Sequence, residues 1–220
     1  MGTALRDLLT PERALIFRIT HISNLPWTLT HGTHCSNTEI RDPGFHSIGN
    51  PDLISKRARR PVPIAPGGML CDYVPFYFTP RTPMMLNIKT GRNGVEERPL
   101  SQIAILVASL RKIAESGLRF VYTDSHAYSP AAQYSSDLGD LESLINWRLL
   151  QSSDFRRNPE NPLSFDQYQA EALIHQCLPA ANLLAVAVNS QASSDQLADV
   201  VKRSELDPKF KLLVKPDWYV

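Results

Sequence analysis

Residues 165–179, FDQYQAEALIHQCLP, set one carboxylate, Glu171, into an otherwise apolar run. Ala170, Ala172, Leu173 and Ile174 surround it, and Cys177 and Leu178 follow. Burying an unpaired carboxylate is strongly unfavourable. Any fold of this chain must therefore give Glu171 a basic partner, a cleft where something polar meets it, or a place at a rim. The run itself reads as a buried strand or a helix–strand junction.

At 220 residues the chain fits one domain, 1–220, with enough length to bury a sizeable core. A net charge of +1 excludes a strongly basic field over the whole molecule, so any nucleic-acid contact has to come from local patches. Cys35, Cys71 and Cys177 are far apart and form no CxxC spacing, which argues against a disulfide framework or a zinc site. Free thiols in a reducing compartment are the simpler reading. No apolar run has membrane-spanning length, and MGTALRDLLTPER has charges where a signal peptide would have an apolar core. The expectation is a cytoplasmic protein with no membrane span.

Residues 14–20 (ALIFRIT) read as a first strand. In HISNLPWTL, Asn24 is expected as an N-cap and Pro26 in the first turn of a short helix that Gly32 ends. A strand running straight into a helix start is a plain connection or a corner that offers N–H groups to a ligand. Residues 35–68 show little periodicity and read as a long loop. Within them Lys56-Arg57-Ala58-Arg59-Arg60 is a solvated face, a targeting signal or a phosphate clamp. Residues 67–85, GGMLCDYVPFYFTPRTPMM, hold a strand at 73–78 whose ladder Pro75 interrupts. Its aromatics Tyr73, Phe76, Tyr77 and Phe78 divide between core packing and stacking on a planar ring, and Arg81 suits a phosphate.

Further strands are expected at 103–108, 120–123, 171–177, 184–188 and 211–214, with helices at 111–116, along 137–150 and at 194–203. Asp124-Ser125-His126 lies at a strand end, where His126 is a catalytic or a structural histidine. Order and spacing do not form a parallel βαβ array. They fit an α+β domain with a split, strongly bent central sheet. GxGxxG and P-loop patterns are absent, so a Rossmann or Walker nucleotide site is unsupported. His21, His31, His34 and His46 come without HExxH or clustered carboxylates, so no metal is expected.

Taken in order, several of these stretches resemble the DarT family. They are IFRITH with Asn24-Leu25, Lys56-Arg57, Gly67-Gly68, DYVPFYF, PRTPM, VYTDSH, Gln169-Ala170-Glu171 and the closing Asp217-Trp218-Tyr219. DarT proteins are toxins of bacterial toxin–antitoxin systems that attach ADP-ribose from NAD to bases of single-stranded DNA. The resemblance implies an ADP-ribosyltransferase fold, a split mixed β-sheet with peripheral short helices and an NAD cleft between its halves. It implies Glu171 as catalytic glutamate, Arg57 as catalytic arginine and His126 as supporting histidine. Arg18, Ile19 and Thr20 match the first NAD-contacting strand. Asn24, Leu25, Trp27, Cys35 and Arg57 fall at NAD positions, and Tyr77 and Met84 at the nicotinamide pocket. Residues 39–59 correspond to the loop covering NAD and 126–171 to the loop holding the base. His126, Gln169, Tyr73, Arg81 and Tyr168 are candidates for DNA contact. Some family members carry histidine where this chain has Arg18.

The chemistry implied is cleavage of the ribose–nicotinamide bond through an oxocarbenium-like sugar, which Glu171 would stabilise. The resemblance gives Arg57 a proton-accepting role, yet a guanidinium stays charged, so His126 reads as the better proton carrier. NAD is then a substrate, no metal is needed, and the partners are single-stranded DNA, with thymidine the favoured base, and a macrodomain antitoxin (DarG-like). Transfer to guanosine, RNA or protein on the same fold stays open, as does an inactive NAD- or nucleic-acid-binding module. The joint presence of Glu171, Arg57 and His126 argues against the last.

Overall fold

The computed structural model describes residues 4–203 and 210–220. The strands are β1 (Leu15–His21), β2 (Thr33–His34), β3 (Tyr73–Tyr77), β4 (Ile103–Ser109), β5 (Phe120–Thr123), β6 (Tyr134–Ser135), β7 (Glu171–His175), β8 (Cys177–Leu178), β9 (Ala185–Val188) and β10 (Lys211–Val214). Short helices join them: α1 (Leu5–Leu8), α2 (Leu25–His31), α3 (Pro51–Arg57), α4 (Pro83–Thr90), α5 (Leu110–Glu115), α6 (Leu141–Leu144), α7 (Trp147–Ser152), α8 (Ser164–Gln167) and the longer α9 (Gln191–Arg203).

One mixed sheet has the order β10-β9-β4-β1-β3-β7-β5-β6, and β2 pairs with β8 apart from it. β4 lies inside one half, and its seven residues, IAILVAS, are all buried. An uninterrupted apolar run suits a strand covered on both faces. β1 pairs with β4 along its whole length, from Leu15↔Ser109 to His21↔Ile103. β3 pairs with β7 just as fully, from Tyr73↔His175 to Tyr77↔Glu171. Between β1 and β3, however, the register holds one pair, Phe17↔Tyr77. The sheet is thus two ladders meeting at a single point, and they splay apart beyond it. Pro75 contributes, because proline has no N–H to give a ladder. Its carbonyl instead accepts from Arg18 Nη1 at 2.9 Å. This split agrees with the α+β expectation.

Several sequence expectations change in detail. The stretch 35–68 is not all loop, because α3 lies inside it. Asn50 caps α3 by accepting from the Leu53 N–H at 2.9 Å, and Pro51 occupies its first turn. The expected helix along 137–150 breaks into a 3-10 turn, α6 and α7, since Ile145 turns extended and Asn146 caps a new start through Leu149 N–H at 3.1 Å. The strand expected over 171–177 divides at Gln176, whose φ of 65° is left-handed. The last long helix begins before Ser193, whose N–H donates to Ser190 Oγ at 3.2 Å. Gly32 does end α2, at φ 85°, and a Cβ there would press on Leu178 O at 2.7 Å.

Candidate active site

Glu171 is the first residue of β7, so the helix–strand junction that ends at Ala170 delivers it to the mouth of the split. Its N–H donates to Thr123 Oγ1 at 3.3 Å, and Thr123 donates to Ser125 O at 2.6 Å, so β5 holds the carboxylate's backbone. The side chain is 2% exposed. Arg57 Nη1 donates to Oε1 at 2.9 Å and Nη2 to Oε2 at 2.8 Å, a forked pair. Ala127 N–H adds a bond to Oε1 at 3.0 Å. Burial alone would raise the Glu171 carboxyl, but Arg57, then His126, outweigh it and hold it below its ordinary range.

Arg57 reaches this point because of helix geometry. Asn50, Leu53, Ile54 and Arg57 recur at three- and four-residue spacing, so one face of α3 turns to the cavity. Lys56 and Arg59 are exposed, and Arg60 Nη2 donates to Ser129 O at 3.2 Å. Of that cationic run, Arg57 is the member that meets the acid. Burial pulls its guanidinium down, and the Glu171 charge and bonds raise it past its usual value.

His126 Nδ1 lies 3.7 Å from Glu171 Oε1, beyond hydrogen-bond reach. It accepts instead from Tyr128 N–H at 3.1 Å. Burial first, with Arg57 adding and Glu171 opposing, holds the imidazole below its ordinary value. A neutral ring whose Nδ1 accepts carries its proton on Nε2. His126 therefore offers a donor at Nε2, while its Nδ1 is taken by the Tyr128 N–H.

These groups line a cavity of about 550 Å³ between the two ladders. That is within the roughly 300–1,000 Å³ of ligand pockets. Arg18, Ile19, Thr20, Trp27, Cys35, Tyr77 and Met84 line it as well. Tyr77 OH contacts Met84 Sδ at 3.8 Å, and burial followed by the Glu171 charge pushes its phenol far up. Burial, then the like charge of Arg57, lowers Arg18 to about 10. The segment expected to cover the ligand contributes Ile40, Phe45 and Ile48 to the wall.

The other expected residues are placed variously around the cavity wall and behind it. Asn24 and Leu25 are buried behind the wall. Asn24 makes no cap; its amide donates to His46 O at 3.0 Å and accepts from His46 N at 2.8 Å, clamping the covering segment from behind. Tyr73 contributes to the cavity wall but is 1% exposed, its hydroxyl on Gly67 O at 2.6 Å, and Tyr168 is 0% exposed against Phe155. Neither offers a free face for stacking. Arg81 does not line the cavity; its Nη1 reaches Asp217 O at 3.5 Å. Gln169 does line it, with Nε2 on Phe165 O at 3.1 Å. The histidines are dispersed: His21 stacks on His46, His31 on Trp27, and His34 contacts Cys177. Among the described residues no His, Cys, Asp or Glu group is arranged for a metal. Sequence reasoning missed Thr123 and the Ala127 N–H. The strand end before His126 was the available signal.

A family model described as "ssDNA thymidine ADP-ribosyltransferase, DarT" matches residues 17–220. A DNA ADP-ribosyl transferase of Escherichia coli O127:H6 (strain E2348/69 / EPEC) is 50% identical over 175 residues, 80% of this chain and 80% of its own length. Thermus sp. 2.9 DarT in complex with ADP-ribosylated ssDNA is similar at a TM-score of 0.87 and 32% identity, over 96% of this chain and 98% of that one. The same Thermus protein in complex with NAD+ gives a TM-score of 0.84 at 32% identity, over 96% and 99% of the two chains.

Proposed function

This chain belongs to the DarT family, and on that premise we propose that it transfers ADP-ribose from NAD to a thymidine base of single-stranded DNA. The observation that carries the reading is the buried Glu171 carboxylate, fixed by Arg57 and opening on a cavity of ligand size.

In this reading NAD is a substrate. Its ribose–nicotinamide C–N bond breaks, the bonding electrons leave with nicotinamide, and a ring nitrogen of the base forms the new bond and gives up its proton to solvent, since Arg57 and His126 Nε2–H are both donors. Positive charge builds on the sugar between the two events, and a fixed carboxylate stabilises that charge without reorganising. Arg57 holds Glu171 ionised and aimed. It is a poor proton acceptor, since its guanidinium is held charged by that same acid. Arg18 supplies positive charge for the NAD phosphates, while Tyr77 and Met84 border the nicotinamide and Trp27 and Cys35 add wall. His126 and Gln169, which line the same cavity, are the residues assigned in this reading to the acceptor base. An unpaired strand suits the acceptor, because it costs no base flipping.

ADP-ribose on a template base blocks its copying, so the protein acts as a toxin in the cytoplasm, and a macrodomain antitoxin (DarG-like) that removes the mark is its expected partner. No helix among the described residues is long and apolar enough to cross a membrane. The test is incubation with NAD and matched acceptors, namely a thymidine-containing single strand, a thymidine-free guanosine strand, the first strand as duplex, RNA and a protein mixture. Mass measurement is expected to find one ADP-ribose on the first alone. Modification confined to guanosine, RNA or protein would replace the thymidine assignment.

A further inference from the structure

The turn that follows β5 carries both the imidazole and one of the donors on Glu171, and its own support comes from β6. Tyr134 OH donates to Ala127 O at 2.6 Å. That oxygen belongs to the Ala127–Tyr128 peptide, and the N–H of the same peptide donates to His126 Nδ1 at 3.1 Å. One residue earlier, Ala127 N–H donates to Glu171 Oε1 at 3.0 Å. The turn closes through Ser129 N–H to His126 O at 2.8 Å. A phenol on the carbonyl end of a peptide polarises that peptide and strengthens the donor at its N–H end. Tyr134 does not line the cavity; its ring packs beside the buried cluster of Val62, Leu70, Tyr73, Val121, Ala127 and Leu173.

We propose that Tyr134 is a positioning residue for the transfer reaction, acting through the Ala127–Tyr128 peptide to hold His126 as the Nε2–H tautomer beside Glu171. The role rests on the DarT reading for its consequence in catalysis, while the tautomer itself does not depend on what the acceptor is. The charged and titratable groups facing His126 are Glu171 and Arg57 across the cavity and Asp166, whose carbonyl accepts His126 N–H at 3.0 Å. None of them bonds to Nδ1, so the peptide held by Tyr134 is the group that fixes which nitrogen accepts.

The test is Tyr134→Phe, with p-aminophenylalanine at position 134 as the conservative replacement that restores a donor. Long-range 1H–15N spectra of His126 are expected to show the Nε2–H tautomer in the native protein and a mixture in Tyr134→Phe. Without the anchored N–H, Nδ1 is free to take a proton, so His126 titrates at higher pH. The neutral Nδ1–H tautomer has no proton to donate at Nε2, so kcat at neutral pH is expected to fall severalfold with KM for NAD within twofold, the loss narrowing at a pH low enough to protonate the ring, and the amino variant restoring both readouts. An unchanged tautomer and pH profile in Tyr134→Phe would overturn the proposal. If Tyr134→Phe does not fold, the amino variant decides: a native tautomer supports the role, and a mixture with native kcat overturns it. Because the tautomer is read without NAD or DNA, loss of the DarT assignment would leave that half of the result standing.

Discussion

Two arginines enter the same cavity from different elements, and their surroundings differ. Arg57, at the end of α3, meets Glu171 with two bonds of 2.9 and 2.8 Å. Arg18, in β1, has the Pro75 carbonyl at 2.9 Å, and among the described residues no carboxylate lies within ion-pair distance of it. Each feels burial; the net direction is up for Arg57 and down to about 10 for Arg18. A paired cation is part of the protein's own structure, and its loss strands the partner. A cation left without a counter-charge beside an open cavity is poised for an anion from outside. The first arginine is therefore tied to the acid, and the second is the one we propose for the phosphates of the incoming dinucleotide.

The contrast can be broken in order of effect. Arg57→Ala leaves a buried carboxylate with Ala127 N–H as its remaining close donor. Breaking such a pair costs about 3–5 kcal/mol, to be read by urea unfolding, and transfer is expected to fall at least about 10²-fold. A pH series sharpens this. Glu171 is held below the ordinary carboxylate range, so its contribution is present above the unfolded pKa and lost as pH falls through the folded one. Tm between pH 7 and 3 should fall steeply in the native protein and less steeply in Arg57→Ala; parallel curves would deny that Arg57 is what lowers Glu171.

Arg18→Gln is expected to act on binding alone. A charge-assisted hydrogen bond contributes about 1.5–3 kcal/mol, so KM for NAD should rise about tenfold or more with kcat little changed and Tm unchanged or higher. A Tm loss as large as that of Arg57→Ala would make Arg18 structural and end the contrast. The smallest effect concerns another unmatched group. Among the described residues Tyr168 OH, near the Thr79 and Ser153 hydroxyls, makes no hydrogen bond of good geometry, and it does not line the cavity that holds Glu171. Tyr168→Phe should leave transfer unchanged and raise stability by up to about 1 kcal/mol by thermal unfolding, because no ligand waits for that hydroxyl.

Much of this site could be read from the chain because it rests on side chains that break local rules. Glu171 announces itself as an acid among Ala170, Ala172, Leu173 and Ile174, and the partner it requires is found in the cationic run 56–60. Pro75 marks the place where the ladders part. α3 was obscured because its cap and first turn, Asn50 and Pro51, are the same residue types that punctuate the loop around it. Asn24 was expected to cap a helix because its sequence context fits one, whereas a contact 22 residues away, to His46, claims its amide. Tyr73 and Tyr168 look like stacking residues in sequence, and only tertiary packing shows both rings enclosed. The Ala127 N–H and the Tyr134 hydroxyl act on or through backbone groups, which every residue has, so no residue type could flag them.

We assign to the carboxylate at position 171 the stabilising of the sugar as nicotinamide leaves and a base attacks. The most direct measurement of this role is single-turnover mass analysis of a thymidine-containing single strand with NAD, comparing the native protein with Glu171→Gln. The substitution keeps the side chain's size and removes its charge. An ADP-ribose adduct is expected from the native protein and a rate lower by about 10²–10³-fold, or more, from Glu171→Gln. An adduct formed by Glu171→Gln at the native rate would contradict the claim.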